Sequence, residues 1–186
     1  IAGLSRPMNL HDKNIEKSIN LNIIGTSNIV KICKKFKIKL IYFSTNYVYP
    51  CSKGNYKEED PIKPINNYAW SKLGGESAVQ LYKNSLILRM AMTDYPFTHK
   101  KAIKGANSSF MFNKTISKII PNILDEKGIL NIGGKKRDIY LFAKKFSKNK
   151  IESIKYDKVK NFPKDSSINI KRLKDIIIRK KLDIKL

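Results

Sequence analysis

Tyr68 and Lys72 stand four residues apart in the stretch NNYAWSKLGGE. On a helix, positions i and i+4 share one face, about a turn apart. An ammonium near a phenol favours the phenolate and draws its pKa down from about 10. A tyrosine so placed can give or take a proton near neutral pH, as general acid–base catalysis requires. A second hydroxyl beside the phenol would complete the arrangement by holding the reacting oxygen. The stretch FSTNYV supplies Ser44 and Thr45 at the end of a β-branched and aromatic run, where open α/β sheets place their ligands. Taken alone the pair is a weak signal and reads first as the start of an ordinary amphipathic helix, with Tyr68 covering a core and Lys72 solvated.

The elements that must position these groups follow from periodicity. Between Asn9 and Lys37, Ile15, Ile19, Ile23, Val30 and Cys33 recur at a helical period, with Ile24 widening the stripe. Gly25 interrupts that stripe, and a packing reason is expected for it. Residues Ile38 to Thr45 read as a strand buried on both faces, the parallel-sheet kind. The next stretch holds Pro50, Pro61, Pro64 and the acidic Glu58, Glu59 and Asp60, and reads as irregular surface. Asn66 or Asn67 can cap a helix from about Tyr68 to Tyr82, and Asn84 to Met90 is a second buried strand. This alternation predicts a parallel sheet with right-handed crossovers. Beyond Arg89 the pattern loosens into a helix at Phe110 to Ile120 and a short strand at Gly128 to Gly134. A helix at Asp138 to Phe146 and a last one from near Lys171 follow. Residues 1–90 are expected to form the sheet domain, and 91–186 a smaller irregular α+β layer on the substrate side.

The 186 residues suffice for a real core, and no run approaches the roughly 18 apolar residues of a membrane span. The net charge of +23 is nearly all Lys, scattered rather than clustered, and accompanied by abundant Ile and Asn. A drift towards AT-rich codons accounts for that mixture, so neither nucleic acid nor a membrane is expected as partner. The charge still favours an anionic ligand such as a diphosphate. Cys33 and Cys51 form no disulfide framework and have no metal-ligand spacing. A cytoplasmic setting is expected.

The order of these motifs resembles the extended short-chain dehydrogenase/reductase family, closest to sugar-nucleotide reductases of the dTDP-4-dehydrorhamnose reductase type. The stretches that carry the likeness are LNIIGTSNIVKICKKFKIKLIYFSTNYVYP, YKEEDPIKPINNYAWSKLGGE and LILR. ILNIGGKKRDIYLFAKKF and PKDSSINIKRL are weaker echoes. The resemblance implies a Rossmann-like doubly wound parallel sheet, and NADPH or NADH as cofactor. It makes Tyr68 the acid that protonates a carbonyl oxygen as hydride arrives. Lys72 would hold the nicotinamide ribose and depress the Tyr68 pKa. Thr45 would bind the reacting oxygen, with Ser44 and Asn46 as substrate contacts. Asn22 matches a position near the nicotinamide, against the alternative of a helix-packing amide. Ala2 and Gly3 match the strand end beside the dinucleotide, against the alternative of a tight turn. The substrate implied is a nucleotide-linked 4-keto sugar.

Several departures qualify the likeness. No G-x-x-G-x-x-G phosphate cradle occurs in the sequence. The chain therefore reads as an amino-terminally truncated form, its sheet lacking its first strands, and is expected by itself to bind dinucleotide weakly. Asn46 stands where the reductase pattern has Asp. Met92 sits near the place of an aromatic that contacts the sugar. Arg89 reads equally as a structural ion pair and as a ligand contact. A sugar-nucleotide epimerase on the same fold, and a non-catalytic remnant or regulatory subunit, are the alternative readings. Relatives pair through the two long helices, so a homodimer is one expected assembly. Lys31, Lys34, Lys35 and Lys37 on the exposed face oppose it by like charge.

Overall fold

The computed structural model describes residues 3–159 and 162–184. The predicted helix over Asn9–Lys37 is broken rather than continuous. It comprises α1 (Leu10–Lys13), α2 (Ile15–Ser18), a π-helical turn (Ile19–Ile24) and α3 (Gly25–Lys35). Asn14 causes the first break: its backbone leaves helical geometry, and its side chain accepts from Lys17 N to cap α2. Then come β1 (Leu40–Thr45), a 3₁₀ turn (Asn46–Val48), α4 (Asn67–Gln80) and β2 (Ser85–Met90). Asn66 caps α4, its side chain accepting from Ala69 N at 2.8 Å.

The strands β1 and β2 run parallel, with Thr45 beside Met90. The third strand, β7 (Gly128–Ile132), pairs parallel with β2, giving the order β1-β2-β7. The sheet thus continues past residue 90. Among the described residues β1 is an edge strand.

Alternation along the strands splits the core into two faces. Leu86, Leu88 and Met90 pack with Leu130 and Ile132 against α5 (Asn113–Ile119) and the closing helix α7 (Lys171–Arg179). Tyr42 and Ile87 face the other way, with Val79 of α4 and Val30 of α3. Helices on both faces of a parallel sheet are the α/β arrangement expected.

The stretch after β1 is irregular as expected, but only part of it is surface. Val48, Tyr49, Cys51 and Tyr56 are all buried, and Tyr49 stacks on Tyr56 with ring centroids 5.0 Å apart. Their burial follows from tertiary partners: the Tyr49 hydroxyl donates to Asn131, and Tyr56 bridges to Ile168.

The outer layer is built of short pairs. These join β3 (Met92–Thr93) with β6 (Met111–Phe112), β4 (Lys101–Lys104) with β9 (Glu152–Lys155), and β5 (Asn107–Ser108) with β8 (Arg137–Asp138). A separate cluster of Phe97, Ala102, Ile139 and Phe142, from α6 (Ile139–Phe146) and its neighbours, supplies its core. No described helix is long and apolar enough to cross a membrane.

Candidate active site

The carboxyl end of β1 meets the first turn of α4. Thr45 ends β1, and its Oγ1 accepts from Tyr47 N at 3.3 Å, which starts the 3₁₀ turn. Its hydroxyl also reaches the Tyr68 phenol, where it favours the ionised form. Burial acts more strongly in the other direction, so the Tyr68 phenol sits above its ordinary range; the Arg6 guanidinium offsets part of that.

Lys72 lies one turn along α4, but its charge is not what tunes the phenol here. Its Nζ sits over the Tyr42 ring, 4.4 Å from the centroid. Lys72 is not among the named influences on the Tyr68 phenol, which besides burial are Thr45 and Arg6. Burial brings the Lys72 ammonium down to about 8, with Glu76 holding it up. It is thus still charged near neutral pH. Glu76, one turn further, gives its carboxylate to Arg89 at 2.6 Å rather than to Lys72.

Ser44 does not join Thr45. Adjacent residues on a strand point to opposite faces, and Ser44 shares the Tyr42 face, where its hydroxyl donates to Glu76 Oε2 at 2.6 Å. Its expected substrate contact is corrected to a place in the buried Glu76–Arg89 network. Arg89 also donates to the Tyr49 hydroxyl at 2.9 Å and to the Glu58 carbonyl at 3.0 Å. Of its two readings, the structural ion pair is the one observed. Asn46 is likewise buried, and its Nδ2 donates to the Ser166 carbonyl at 2.8 Å. That bond ties the end of β1 to the segment before α7.

Asn22 is buried at the back of the site. Its Oδ1 accepts from Leu4 N at 2.7 Å, while its Nδ2 donates to Leu4 O and to Ser71 Oγ, both at 2.8 Å. The amide completes a two-way pairing with Leu4 and fastens the amino-terminal segment to α4. Gly3 is exposed, and a Cβ there would meet Asn22 Oδ1 only at 3.6 Å, so no crowding demands glycine. Ala2 lies outside the described residues. The close helix approach expected at Gly25 occurs in α4 instead. A Cβ on Gly75 would stand 2.4 Å from the Asn22 carbonyl and 2.6 Å from the Tyr42 hydroxyl. Nothing larger than glycine lets the π-helical turn sit on α4.

Three groups at the site escape sequence reasoning. Arg6 pairs with Asp94 at 3.2 Å, and Asp94 in turn accepts from Asn113 Nδ2 at 2.5 Å. This chain links the amino-terminal segment to the start of α5 across the mouth of the site. Glu76 had a faint signal, being i+4 from Lys72, but nothing local foretold its pairing with Arg89. His11 was one of only two histidines and lay outside every motif. The Thr45–Tyr68 arrangement can offer two hydroxyls to one carbonyl oxygen, with the Arg6 guanidinium nearby to stabilise the phenolate left by proton transfer.

Comparison with known proteins fits this geometry. Residues 10–102, half of the chain, match the RmlD substrate binding domain family. The beta subunit of methionine adenosyltransferase 2 from Bos taurus is 39% identical over 94 residues, covering 50% of this chain and 28% of that protein. A hypothetical dTDP-4-dehydrorhamnose reductase from Sulfolobus tokodaii superposes with a TM-score of 0.82 at 26% identity, covering 94% of this chain and 71% of that one. The fold is also that of a dTDP-4-dehydrorhamnose reductase from Bacillus anthracis, solved in complex with NADP. Its TM-score is 0.78 at 19% identity, over 93% of this chain and 70% of that one. The matched stretches span about a quarter of the length of the curated relatives, 27% and 28% for two of them.

Proposed function

This chain belongs to the RmlD substrate-binding domain family, and we propose that it carries the proton-transfer half of a nicotinamide-dependent sugar-nucleotide reductase. The substrate class is a nucleotide-linked 4-keto sugar. Thr45 binds the ketone oxygen, and Tyr68 hands it a proton. The chemistry expected of NADPH or NADH is hydride delivery to the ketone carbon. Lys72 suits the nicotinamide ribose: its ammonium is half-buried, and the nearest carboxylate on its helix is already engaged by Arg89. Asn22 supports the same surface by holding the amino-terminal segment in place through Leu4. The sequence carries no G-x-x-G-x-x-G, so the 186-residue chain by itself is expected to hold dinucleotide weakly and to turn over slowly. A soluble, cytoplasmic enzyme that pairs as a homodimer is the setting this reading implies.

The observation that supports the proposal is that Thr45 at the end of β1 and Tyr68 in the first turn of α4 are brought together, with Thr45 favouring the ionised phenol. In a form that reduces a 4-keto sugar nucleotide at the expense of NADPH, Tyr68→Phe should lower kcat by roughly 10²–10⁴-fold. KM for the sugar nucleotide should hardly change. Full turnover by the variant would remove Tyr68 from this role.

A second reading is favoured by the bovine relative, which is named as a subunit of another enzyme. On that reading the chain holds a partner and turns nothing over. Tyr68→Phe would then leave partner binding intact, and no reductase activity would be found to lose.

A further inference from the structure

His11 is fully enclosed, at 0% exposure, and is the buried residue of the four-residue helix α1. Its ring lies edge-on to the Tyr68 ring, with centroids 5.1 Å apart and planes at 63°. The next residue grips the same turn of α4, since Asp12 Oδ1 accepts from Asn67 Nδ2 at 2.9 Å. Helix α1 therefore touches α4 at Asn67 and Tyr68 together.

Two serines hold the His11 ring through Nδ1. Nδ1 lies against the Ser18 hydroxyl and 3.4 Å from Ser71 Oγ. The Ser71 hydroxyl spends its one proton on the Tyr68 carbonyl, at 2.8 Å, and its oxygen accepts from Asn22. Nε2 is buried and has no hydrogen-bond partner among the described residues. An unpaired polar atom in a core is costly, and a packing role alone would be met by an apolar ring.

We propose that His11 is a positioning residue for the candidate proton donor. Its neutral imidazole, pinned through Nδ1 by Ser18 and Ser71, sets the ring of Tyr68 at the mouth of the site. The proposal rests on the reading of Tyr68 as proton donor given above. The charged and titratable groups facing His11 are Asp12 on its own helix and Tyr68 and Lys72 on α4. Burial, aided by Lys72, keeps the imidazole neutral against the pull of Asp12. Acidification charges a ring whose Nε2 has no acceptor among the described residues, which favours a shift of the ring relative to Tyr68.

The test follows both rings by NMR in the chain labelled at its histidine and tyrosine rings. With two histidines in the sequence, His11 is assigned by its loss in His11→Phe, and Tyr68 by its loss in Tyr68→Phe. On acidification from about pH 8 to 5, the Tyr68 signals should move with the His11 midpoint, which lies below the ordinary value of about 6.5. The movement should vanish in His11→Phe. In the reductase assay His11→Phe should lower kcat by about 10–100-fold with KM unchanged, as expected for a misplaced acid. Ser18→Ala, which removes a pin and keeps the ring, should weaken kcat in the same sense, and it decides the matter if His11→Phe fails to fold. Tyr68 signals that ignore the His11 titration would overturn the proposal, as would folded variants with unchanged kcat. Full turnover by Tyr68→Phe sinks the proton-donor reading instead, whatever the two rings report.

Discussion

The two helical regions that meet at the site are held by opposite means. The segment from Leu10 to Lys35 is broken into four pieces. Ile15, Ile24, Ile29 and Ile32 of its apolar residues are exposed, and its buried residues are few: His11, Ser18, Asn22 and Cys33. It is fixed by polar pins. Helix α4 is one uninterrupted run of 14 residues, capped at Asn66, closely approached at Gly75, and anchored to the sheet by Glu76. The candidate proton donor stands on the rigid element, and the groups that tune and orient it, Arg6 and His11, stand on or before the pinned one. Catalytic geometry of this kind needs one fixed partner and allows the other to adjust as ligands arrive.

Removing Glu76 should break the anchored side most severely. Arg89 would be left buried without its carboxylate, which costs about 3–5 kcal/mol. Glu76→Ala should therefore lower stability by that amount in denaturant unfolding, and a loss under 1 kcal/mol would mean the pair is not what anchors α4. Lys72 acts in the other sense. Its folded pKa is depressed from 10.5 to about 8, so between those values the unfolded chain binds more protons and stability rises with pH. Lys72→Met should be more stable than the parent near pH 7, by on the order of 2 kcal/mol after allowing for solvent screening. The gap should narrow as pH climbs from about 8 towards the ordinary lysine value of about 10.4. A gap that widens would show the ammonium to be paired in solution.

Gly75→Ala tests the contact between the two regions. The added carbon would meet backbone, which cannot swing aside, so a loss of about 1–3 kcal/mol is expected. A neutral result would mean that the π-helical turn can lift off α4. The smallest effect belongs to the exposed stripe of α3: Ile32→Ser should change stability by no more than about 0.5 kcal/mol. A larger loss would mean that something covers that face in solution.

Much of the fold was legible because parallel α/β units write their elements plainly. The strand ending in Ser44-Thr45, the cap at Asn66 and the i+4 spacing of Tyr68 and Lys72 are all local signals. The break at Asn14 and the π-helical turn were not legible, since the apolar period runs through both. Burial of Tyr49 and Tyr56 was hidden in a stretch without periodicity, because their partners lie more than a hundred residues away for Ile168 and 82 residues away for Asn131.

The sequence by itself determined which hydroxyl, phenol and ammonium stand at the open end of the sheet, because strand alternation and helical spacing are short-range geometry. The tertiary structure alone decided their electrostatics. Whether an ammonium acts on a phenol depends on where a flexible lysine stem points and which ring or carboxylate captures it. Here Tyr42 takes the Lys72 charge, Arg89 takes Glu76, and Arg6 and Thr45 act on Tyr68. Such choices are made between residues distant in the chain, and no local pattern records them.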